Sequence, residues 1–401
     1  MKLKLAEVEL SERPAEIPGL GGHDGVRALV RHRSRPLGWV TMLTRGLPSV
    51  PWPAFEQALR AQLGPELVRA WLATAVQSPA PGPLPPVTVV VCTRDRATLL
   101  EGCLRAVQGL AYPAFEVVVV DNAPSDGVTE AVACAFGVRY VREDRPGLNW
   151  ARNRGVLASR HDIVAFTDDD ARPDRLWLRA LSEAFADPEV MLVTGLVAPA
   201  ALETPAQLLF ELGEGGMGKG MRRRSSRPAS VRAFDLLQIH DLGVGANVAM
   251  RVATWQRVGG FDTALDVGTP AGGAGDLDFF HRTLAAGLTV VYEPGALVWH
   301  CHRDTMNALR RVHRDNGRSF GVYLLKVWES RTVPRQKLLQ FALRRWGRWV
   351  VRQLVLALLK RGRLPVSLAS AELRGVLQAP FAFRAARRSD ARLRARSREE
   401  P

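Results

Sequence analysis

After residue 86 the sequence alternates short runs of β-branched residues with segments of helical periodicity. Short apolar runs of this kind are typical of buried strands. Strands that alternate with helices predict a mostly parallel sheet flanked by helices, an α/β fold. The predicted strands are Val87–Cys92, Phe115–Val120, Val138–Val141 and Asp162–Thr167, and the predicted helices are about Leu99–Leu110, Gly127–Phe136, Trp150–Ser159 and Asp174–Ala186.

Three other regions surround the α/β block. Residues 1–77 mix β-type runs with a helical pattern from Pro53 to Ala73, which predicts a small N-terminal α+β extension. Residues 78–86 are rich in proline and predict a linker. The α/β domain is expected to span residues 87–302. Residues 303–401 have helical spacing and predict a basic, helical C-terminal region.

The positive charge of the chain is concentrated in its C-terminal region. The formal net charge is +15, but residues 303–401 hold 24 Lys or Arg against 7 Asp or Glu, whereas residues 1–302 hold 31 against 33. A nearly neutral α/β domain lacks the electrostatic footprint of a nucleic-acid-binding core. We therefore expect no nucleic-acid partner. A nucleic-acid-binding protein that uses the Arg-rich tail remains an alternative.

The cysteines and the apolar segments indicate the compartment. Cys92, Cys103, Cys134 and Cys301 are widely spaced and form no CxxC pair, which predicts reduced thiols. The first 16 residues contain no apolar block of signal-peptide length, and no segment reaches the length of a membrane span. We therefore expect a cytoplasmic protein.

Polar residues follow three of the predicted strands. These segments are Thr93–Arg96, Asp121–Asn122 and Asp168–Asp170. Ligands of parallel sheets bind beyond the carboxyl ends of the strands, so we expect the three segments to converge on one crevice. Consecutive acids at a strand end offer oxygen ligands for Mg²⁺ or Mn²⁺, which would carry the phosphates of a substrate. Taken alone, the acidic triplet is equally typical of a turn.

This combination resembles the inverting family 2 glycosyltransferases, which have the GT-A fold and use nucleotide-sugar donors. The resemblance covers about residues 86–302. It rests on four motifs that occur in order: Val89–Arg96, Glu116–Asn122, Gly147–Gly155 and Phe166–Asp170.

The resemblance implies a set of donor contacts. Asp121 would accept a hydrogen bond from the base, while Asp168 and Asp169 would lie near the ribose and the phosphates. Asp170, the last acid of the DxD-type motif, would ligate the Mg²⁺ or Mn²⁺ that bridges the diphosphate. Arg152 lies where the family has a basic residue that contacts the donor. The alternative is that Arg152 is only a solvated charge on a helix. The implied donor-binding residues are Thr93, Arg94, Asp95, Asp121, Asn122, Arg152, Asp168 and Asp169.

The resemblance also implies a general base in the segment Gly272–Arg282. The family has a Glu-Asp pair there, whereas this chain has Gly275 before Asp276. Inverting transfer needs one base to take the proton of the acceptor hydroxyl, and Asp276 is the candidate. Asp278 is its rival, and a role as a helix cap is the alternative for Asp276.

A further metal ligand is implied near the end of the α/β domain. A predicted strand, or pair of short strands, from Val290 ends in His300 and His302. Some GT-A enzymes take a third metal ligand from a C-terminal histidine, and His300 fits that position better than His302. The alternative is a structural histidine that only forms hydrogen bonds.

Two segments are expected to lie near the acceptor or a membrane. The glycine-rich Gly213–Ser226 predicts a mobile loop beside the acceptor or a disordered insertion. Residues 335–361 predict a basic amphipathic helix that lies on an anionic membrane or packs on the catalytic domain. The Arg-rich Arg384–Arg398 predicts a frayed or solvated end. The apolar stripe of the amphipathic helix comprises Trp346, Trp349, Val350, Leu354, Leu358 and Leu359.

The expected function is therefore metal-dependent, inverting transfer of a sugar from a nucleotide-diphosphate donor. The acceptor hydroxyl would belong to a glycan or lipid-linked molecule, such as a cell-envelope polysaccharide, and the protein would lie at the inner face of the membrane. A non-catalytic GT-A domain that only binds a nucleotide sugar is an alternative, which Gly275 favours. A nucleotidyltransferase is disfavoured because the first strand-loop lacks a glycine-rich signature.

Overall fold

The computed structural model describes residues 1–44, 46–75 and 84–399, so residues 78–83 of the predicted linker lie outside the described residues. The N-terminal region contains a three-stranded sheet in which β3 pairs in parallel with β1 and in antiparallel with β4. A two-stranded sheet joins β2 and β5. The elements are β1 Leu3–Glu9, β2 Glu16–Ile17, β3 Gly25–His32, β4 Arg35–Leu43, β5 Val50–Pro51 and α1 Trp52–Ala75.

The N-terminal sheet and helix share a core of their own. Alternate residues of β3, Val26, Ala28 and Val30, are fully buried in a cluster with Phe55 and Leu59 of α1. These three side chains share the face of β3 that packs on α1, whereas Leu29 on the other face is buried in a cluster with Leu196 and Leu297 of the central sheet. The division of the chain into an extension, a linker, a catalytic domain and a tail remains a prediction.

The central sheet has nine strands, and its order is β10-β14-β11-β13-β9-β6-β7-β8, with β12 paired to β14. Strands β9, β6, β7 and β8 run parallel, whereas β13 is antiparallel to both of its neighbours. The predicted α/β architecture, a sheet flanked by helices, is confirmed. The strands are β6 Val87–Thr93, β7 Phe115–Asn122, β8 Arg139–Glu143, β9 Ile163–Asp168, β10 Ala171–Pro173, β11 Val190–Pro199, β12 Arg224–Ser226, β13 Asn247–Arg251 and β14 Thr289–His300.

Helices cover both faces of this sheet because its parallel strands are apolar on both sides. Val89 and Val91 of β6 face a cluster that includes Leu100, whereas Val90 faces a second cluster that includes Phe279. The helices are α2 Ala97–Gln108, α3 Val128–Ala135, α4 Leu148–Ala158, α5 Trp177–Ala184, α6 Pro205–Leu208, α7 Val252–Val258, α8 Gly275–Ala285, α9 Met306–Ser330, α10 Arg335–Phe341, α11 Arg348–Leu358 and α12 Val366–Glu399.

The C-terminal helices pack on one another and on the α/β domain. A Cβ atom at Gly375 of α12 would lie 1.9 Å from the backbone oxygen of Arg314 in α9, so glycine allows the two helices to approach closely. Of the predicted frayed or solvated end at Arg384–Arg398, fraying is wrong because α12 continues to Glu399, whereas solvation holds for the exposed Arg384, Arg387, Arg388, Arg392, Arg394 and Arg396. Asp390 of this segment accepts a hydrogen bond from Thr263 at 2.5 Å. This contact and buried apolar residues of α12 hold the Arg-rich end.

The amphipathic segment 335–361 is helical, but a π-helical turn at Ala342–Gly347 divides it into α10 and α11. Its apolar stripe also divides. Val350 is buried, whereas Leu358 is 61% exposed. Part of the stripe therefore packs on the protein and part faces solvent. Within residues 1–44, 46–75 and 84–399, no helix combines the length and apolarity needed to cross a bilayer.

Candidate active site

The acidic triplet lies where β9 ends and the chain turns into β10. Strand β10 pairs in antiparallel with β14, and their register places Ala171 opposite His300. This pairing brings His300 against the triplet, with its Nε2 3.2 Å from Oδ1 of Asp170. One ligand atom each of Asp168, Asp170 and His300 lies within 4.8 Å of the others. The predicted metal ligands Asp170 and His300 are thus adjacent, and Asp168 joins them.

The charges in this cluster fit a divalent cation. Burial alone would raise the pKa of Asp170, but the hydrogen bond and charge of His300, with Arg303 and Arg96, lower it to about 2. Burial raises the pKa of Asp168 to about 6 against the opposing effect of Arg152. Both carboxylates are therefore mainly ionised near neutral pH. Two carboxylates and an imidazole are a donor set that suits Mn²⁺ or Mg²⁺.

Two arginines that the sequence did not identify as site residues meet the same acids. Arg96 donates to Asp169 at 2.9 Å and to Asp170 at 3.3 Å, and Arg303 Nη2 lies 3.6 Å from Asp170. Thr93 donates its hydroxyl hydrogen to Asp169 at 2.8 Å. Asp169 is therefore held by the end of β6. The position of Arg96 inside the first motif was the available signal, whereas Arg303 gave none.

The ends of β6 and β7 form a second part of the crevice. Asp121 is fully buried, Tyr140 donates to its Oδ2 at 3.1 Å, and burial raises the pKa of this carboxyl. Its Oδ1 has no hydrogen-bond partner among the described residues. Asp95 has a φ of 52° and accepts from the backbone and hydroxyl of Ser125, both at 2.9 Å. The half-exposed Arg94 has its Nε 3.8 Å from Asp95.

Asn122 supports a loop instead of presenting its amide to the crevice. Its Nδ2 donates to the backbone oxygen of Arg145, and its Oδ1 accepts from the backbone N–H of Gly147, both at 2.8 Å. Gly147 has a φ of 133°, a conformation that strongly favours glycine. Asn122 therefore shapes the turn before α4, and its role in donor binding stays a prediction.

Arg152 is buried in α4, so the alternative of a solvated helix charge is wrong. Its guanidinium forms a close ion pair with Asp266 and donates to Asn149 at 3.1 Å. Burial opposes its charge, but Asp266, Asp168 and Asp276 together raise the pKa of Arg152. The guanidinium thus lies in the fields of both the acidic triplet and the candidate base.

Asp276 lies in the first turn of α8, which begins at Gly275. It accepts hydrogen bonds from the backbone N–H groups of Gly245 and Leu277, both at 2.8 Å, and remains partly exposed. It is not the residue that caps the helix. The rival Asp278 is buried and pairs with Arg282 and Lys326, each at 2.8 Å. Asp278 therefore serves the packing of α8, and Asp276 is the acid that remains accessible.

The glycine at position 275 has a steric reason. A Cβ atom there would lie 2.2 Å from Oδ2 of Asp266 and 2.4 Å from Nδ2 of Asn149. Asp266 has a φ of 83° and is buried. Its carboxylate thus occupies the space beside Asp276 that the side chain of a glutamate at 275 would enter. Sequence reasoning missed Asp266 because it lies in a loop with no motif of its own.

A chain of polar contacts continues behind His300. Its Nδ1 lies 3.1 Å from Nδ1 of His302, whose Nε2 lies 3.4 Å from Oε2 of Glu211. Glu211 in turn lies 3.6 Å from Nη2 of Arg27 in the N-terminal region. These contacts fix the ring plane of His300 and place His302 one step away from the acids.

The glycine-rich segment Gly213–Ser226 has a defined path. Its last residues form β12, which pairs with Val290–Tyr292 of β14. Met217 packs against the cluster that includes Val89, Val91 and Leu100. The alternative of a disordered insertion is therefore wrong. The segment runs along the same edge of the sheet as His300.

Comparisons with known proteins agree on one family. A family model described as glycosyl transferase family 2 matches residues 88–224. The pre-mycofactocin glycosyltransferase of Mycobacterium tuberculosis is 30% identical over 300 residues, which cover 71% of this chain and 60% of that protein. Glycosyltransferase AglE of Haloferax volcanii is 26% identical over 271 residues, which cover 66% of this chain and 80% of that protein.

This chain matches a third relative over most of that relative's length. An uncharacterized glycosyltransferase of Mycobacterium bovis is 33% identical over 205 residues, which cover 49% of this chain and 83% of that protein. The chain spans about 60% of the length of the pre-mycofactocin glycosyltransferase that it matches. The family model, the relatives and the crevice at the strand ends agree, and the chain belongs to glycosyltransferase family 2.

Proposed function

We propose that the protein transfers a sugar, with inversion, from a nucleotide-diphosphate donor to the hydroxyl of a glycan or lipid-linked acceptor. The observation that carries this proposal is the cluster of Asp168, Asp170 and His300 at the end of β9. The charges of Asp168 in this cluster and of Asp276 both act on the guanidinium of Arg152. A metal-type donor set and an accessible carboxylate near one crevice supply the two halves of such a reaction.

In the proposed reaction Asp276 accepts the proton of the acceptor hydroxyl. The oxygen forms a bond to the anomeric carbon on the face opposite the leaving group, while the bond from that carbon to the diphosphate oxygen breaks. The products are an inverted glycoside and a nucleoside diphosphate. The backbone N–H groups of Gly245 and Leu277 orient the carboxylate of Asp276 for this step.

The donor is proposed to lie along the ends of β6, β7 and β9. Asp121 offers its unpaired Oδ1 to an N–H group of the base. Asp170 and His300 would hold a Mg²⁺ or Mn²⁺ ion, with Asp168 beside them. When bound, this ion offsets the charge that develops on the leaving diphosphate. Arg96 and Arg303 keep the carboxylate of Asp170 in place.

Donor binding is expected to depend on the cation. In a thermal-shift panel of nucleoside diphosphates with Mn²⁺, one nucleotide should raise the melting temperature of the protein. A ligand that binds only the folded state stabilises that state. At 100 times the dissociation constant the gain is about 2.7 kcal/mol. EDTA should abolish the shift in melting temperature. The monophosphate of the same nucleoside should give a smaller shift than the diphosphate. Equal shifts with Mn²⁺ and EDTA would contradict metal-dependent donor binding.

We also propose that α11 contacts an anionic membrane at the cytoplasmic face. Val351, Val355 and Leu358 are exposed at i, i+4 and i+7, and Arg348 and Arg352 flank them. Exposed apolar residues at helical spacing bind an interface when basic neighbours are drawn to anionic lipid.

This surface predicts binding to vesicles that contain phosphatidylserine. Leu358→Ser should weaken binding by at least about tenfold, because a buried leucine contributes roughly 1.5–3 kcal/mol. The control is Leu377→Ser, since Leu377 of α12 is 65% exposed and lies outside this stripe. Co-sedimentation measures both variants. Retention of the full chain on RNA with none on these vesicles would overturn the membrane proposal in favour of nucleic-acid binding.

A further inference from the structure

A cavity of about 780 Å³ adjoins the acidic cluster. Its lining includes His300 and Arg303, Met217 of the glycine-rich segment, and residues of α9, α10, α11 and the π-helical turn between α10 and α11. Polar residues such as Gln238, Asp241 and Glu372 also line it. The donor crevice at the ends of β6 and β7 lies outside its lining. This cavity is therefore a separate compartment that meets the candidate active site at one end.

The candidate base lies beside this cavity. Val244 and Leu277 line it. Val244 directly precedes Gly245, and Leu277 directly follows Asp276. The backbone N–H of Gly245 donates to Asp276 at 2.8 Å. Lys219 lines the same region and is close enough to Asp276 for their charges to interact. A hydroxyl bound at this end would lie within the neighbourhood of the carboxylate that must accept its proton.

A cluster of aromatic rings also lines the cavity. Phe320 packs against Trp346 with ring centroids 5.1 Å apart and against Phe341 at 6.4 Å. Trp349 also lines the cavity, although 43% of it remains exposed. Rings that support one another in this way form a rigid surface with few polar atoms.

We infer that the acceptor is an amphipathic alcohol, with its reacting hydroxyl beside Asp276 and an apolar group against the Phe320–Trp346–Trp349 wall. This inference rests on the proposed function, because it names the second substrate of the same site. A cavity lined by an aromatic cluster as well as by polar residues beside Asp276 suits a ligand that has an apolar group and a hydroxyl. The apolar group is the shared chemistry of an alkyl chain and of a ring-bearing aglycone.

The aromatic cluster can bury an apolar group of the acceptor, while polar residues such as Gln238, Asp241 and Asn316 in the same lining can pair with its hydroxyl groups. An alkyl or aryl group gains about 25 cal/mol for each Å² of apolar surface that it buries. Burial of apolar surface therefore favours an acceptor that carries an alkyl or aryl group.

The test compares three acceptors that share one sugar and differ in the aglycone: methyl, octyl and phenyl glycosides, with octyl glycoside kept below its micelle concentration. The donor is the sugar derivative of the nucleotide that the thermal-shift panel identifies. Release of nucleoside diphosphate above background hydrolysis measures transfer. The KM of the octyl or the phenyl glycoside should be at least about tenfold below that of the methyl glycoside. The better of the two identifies a chain or a ring.

Trp349→Ala tests the wall itself and leaves the packed ring cluster intact. It should raise the KM of the preferred probe about tenfold and change that of methyl glycoside little. Phe381→Ala is the matched control, because Phe381 of α12 is 74% exposed and outside the cavity. Equal KM values for the three glycosides, or no effect of Trp349→Ala, would overturn the inference.

The result is separable from the proposed function. In the unaltered protein, a nucleotide-dependent thermal shift with no preference among the glycosides sinks the acceptor inference alone. If no nucleotide stabilises the protein, the proposed donor chemistry fails instead. Calorimetric titration with octyl and methyl glycosides then decides whether the cavity prefers an apolar aglycone, since this measurement needs no donor.

Discussion

Asp276→Asn is expected to lower kcat for sugar transfer by ~10²- to 10⁴-fold, the range that a positioned general base contributes. The amide keeps the shape of the side chain but cannot accept a proton at neutral pH. One of the two hydrogen bonds from Gly245 and Leu277 is lost, which costs about 1 kcal/mol of stability. Steady-state transfer assays and a melting curve separate the two effects.

The matched control is Asp278→Asn in the same helix. Asp278 forms buried ion pairs with Arg282 and Lys326, so its loss should destabilise the protein by roughly 3 kcal/mol or more. Transfer by the remaining folded protein should stay within a few-fold of the original rate. If Asp276→Asn retains full turnover, Asp276 is not the base. If Asp278→Asn alone abolishes turnover while folded, Asp278 takes that role.

The same experiment bears on Gly275, which stands where the family has a glutamate. An alanine or glutamate there would collide with Asp266, which pairs with Arg152 next to the candidate base. The missing glutamate is therefore accompanied by another buried carboxylate in the same space. Measurable transfer by the unaltered protein excludes a non-catalytic domain.

Much of the crevice was predictable because parallel strands point their carboxyl ends the same way. The polar residues after β6 and β9 meet directly, as the hydrogen bond between Thr93 and Asp169 shows. Register explains His300, which lies opposite Ala171 although 129 positions separate them. That pairing belongs to an antiparallel strand that the sequence alternation did not reveal. The resemblance to a family, not periodicity, supplied His300.

What the sequence missed depends on contacts between distant segments. Asp266 and Arg303 have no local pattern, because each acquires its role from a partner far away in the chain. The amphipathic pattern of 335–361 predicted a helix correctly but could not divide its apolar face between packing and solvent. That division follows from the π-helical turn and from the rings of Phe320 and Phe341, against which Trp346 packs.

Asp170→Asn is expected to abolish the Mn²⁺-dependent thermal shift and to lower transfer by more than ~10²-fold. The carboxylate of Asp170 is ionised, with a pKa of about 2, and it is the acid closest to His300. An amide has no charge to offer a divalent cation and cannot hold Arg96 and Arg303 by ion pairs. Loss of even an outer partner of a metal ligand weakens metal binding 10- to 100-fold, so loss of a direct ligand should weaken it more.

Calorimetric titration of Mn²⁺ in the presence of the nucleoside diphosphate measures this loss without any turnover. The matched control is Asp144→Asn, which removes a carboxylate that pairs with Arg142 at the surface and should leave the Mn²⁺ affinity unchanged. A global electrostatic effect would weaken Mn²⁺ binding in both variants, whereas loss of a ligand weakens it only in Asp170→Asn. Unchanged Mn²⁺ affinity in Asp170→Asn would remove this residue from the metal site and leave Asp168 and His300 as the candidates, since their ligand atoms lie within the same 4.8 Å.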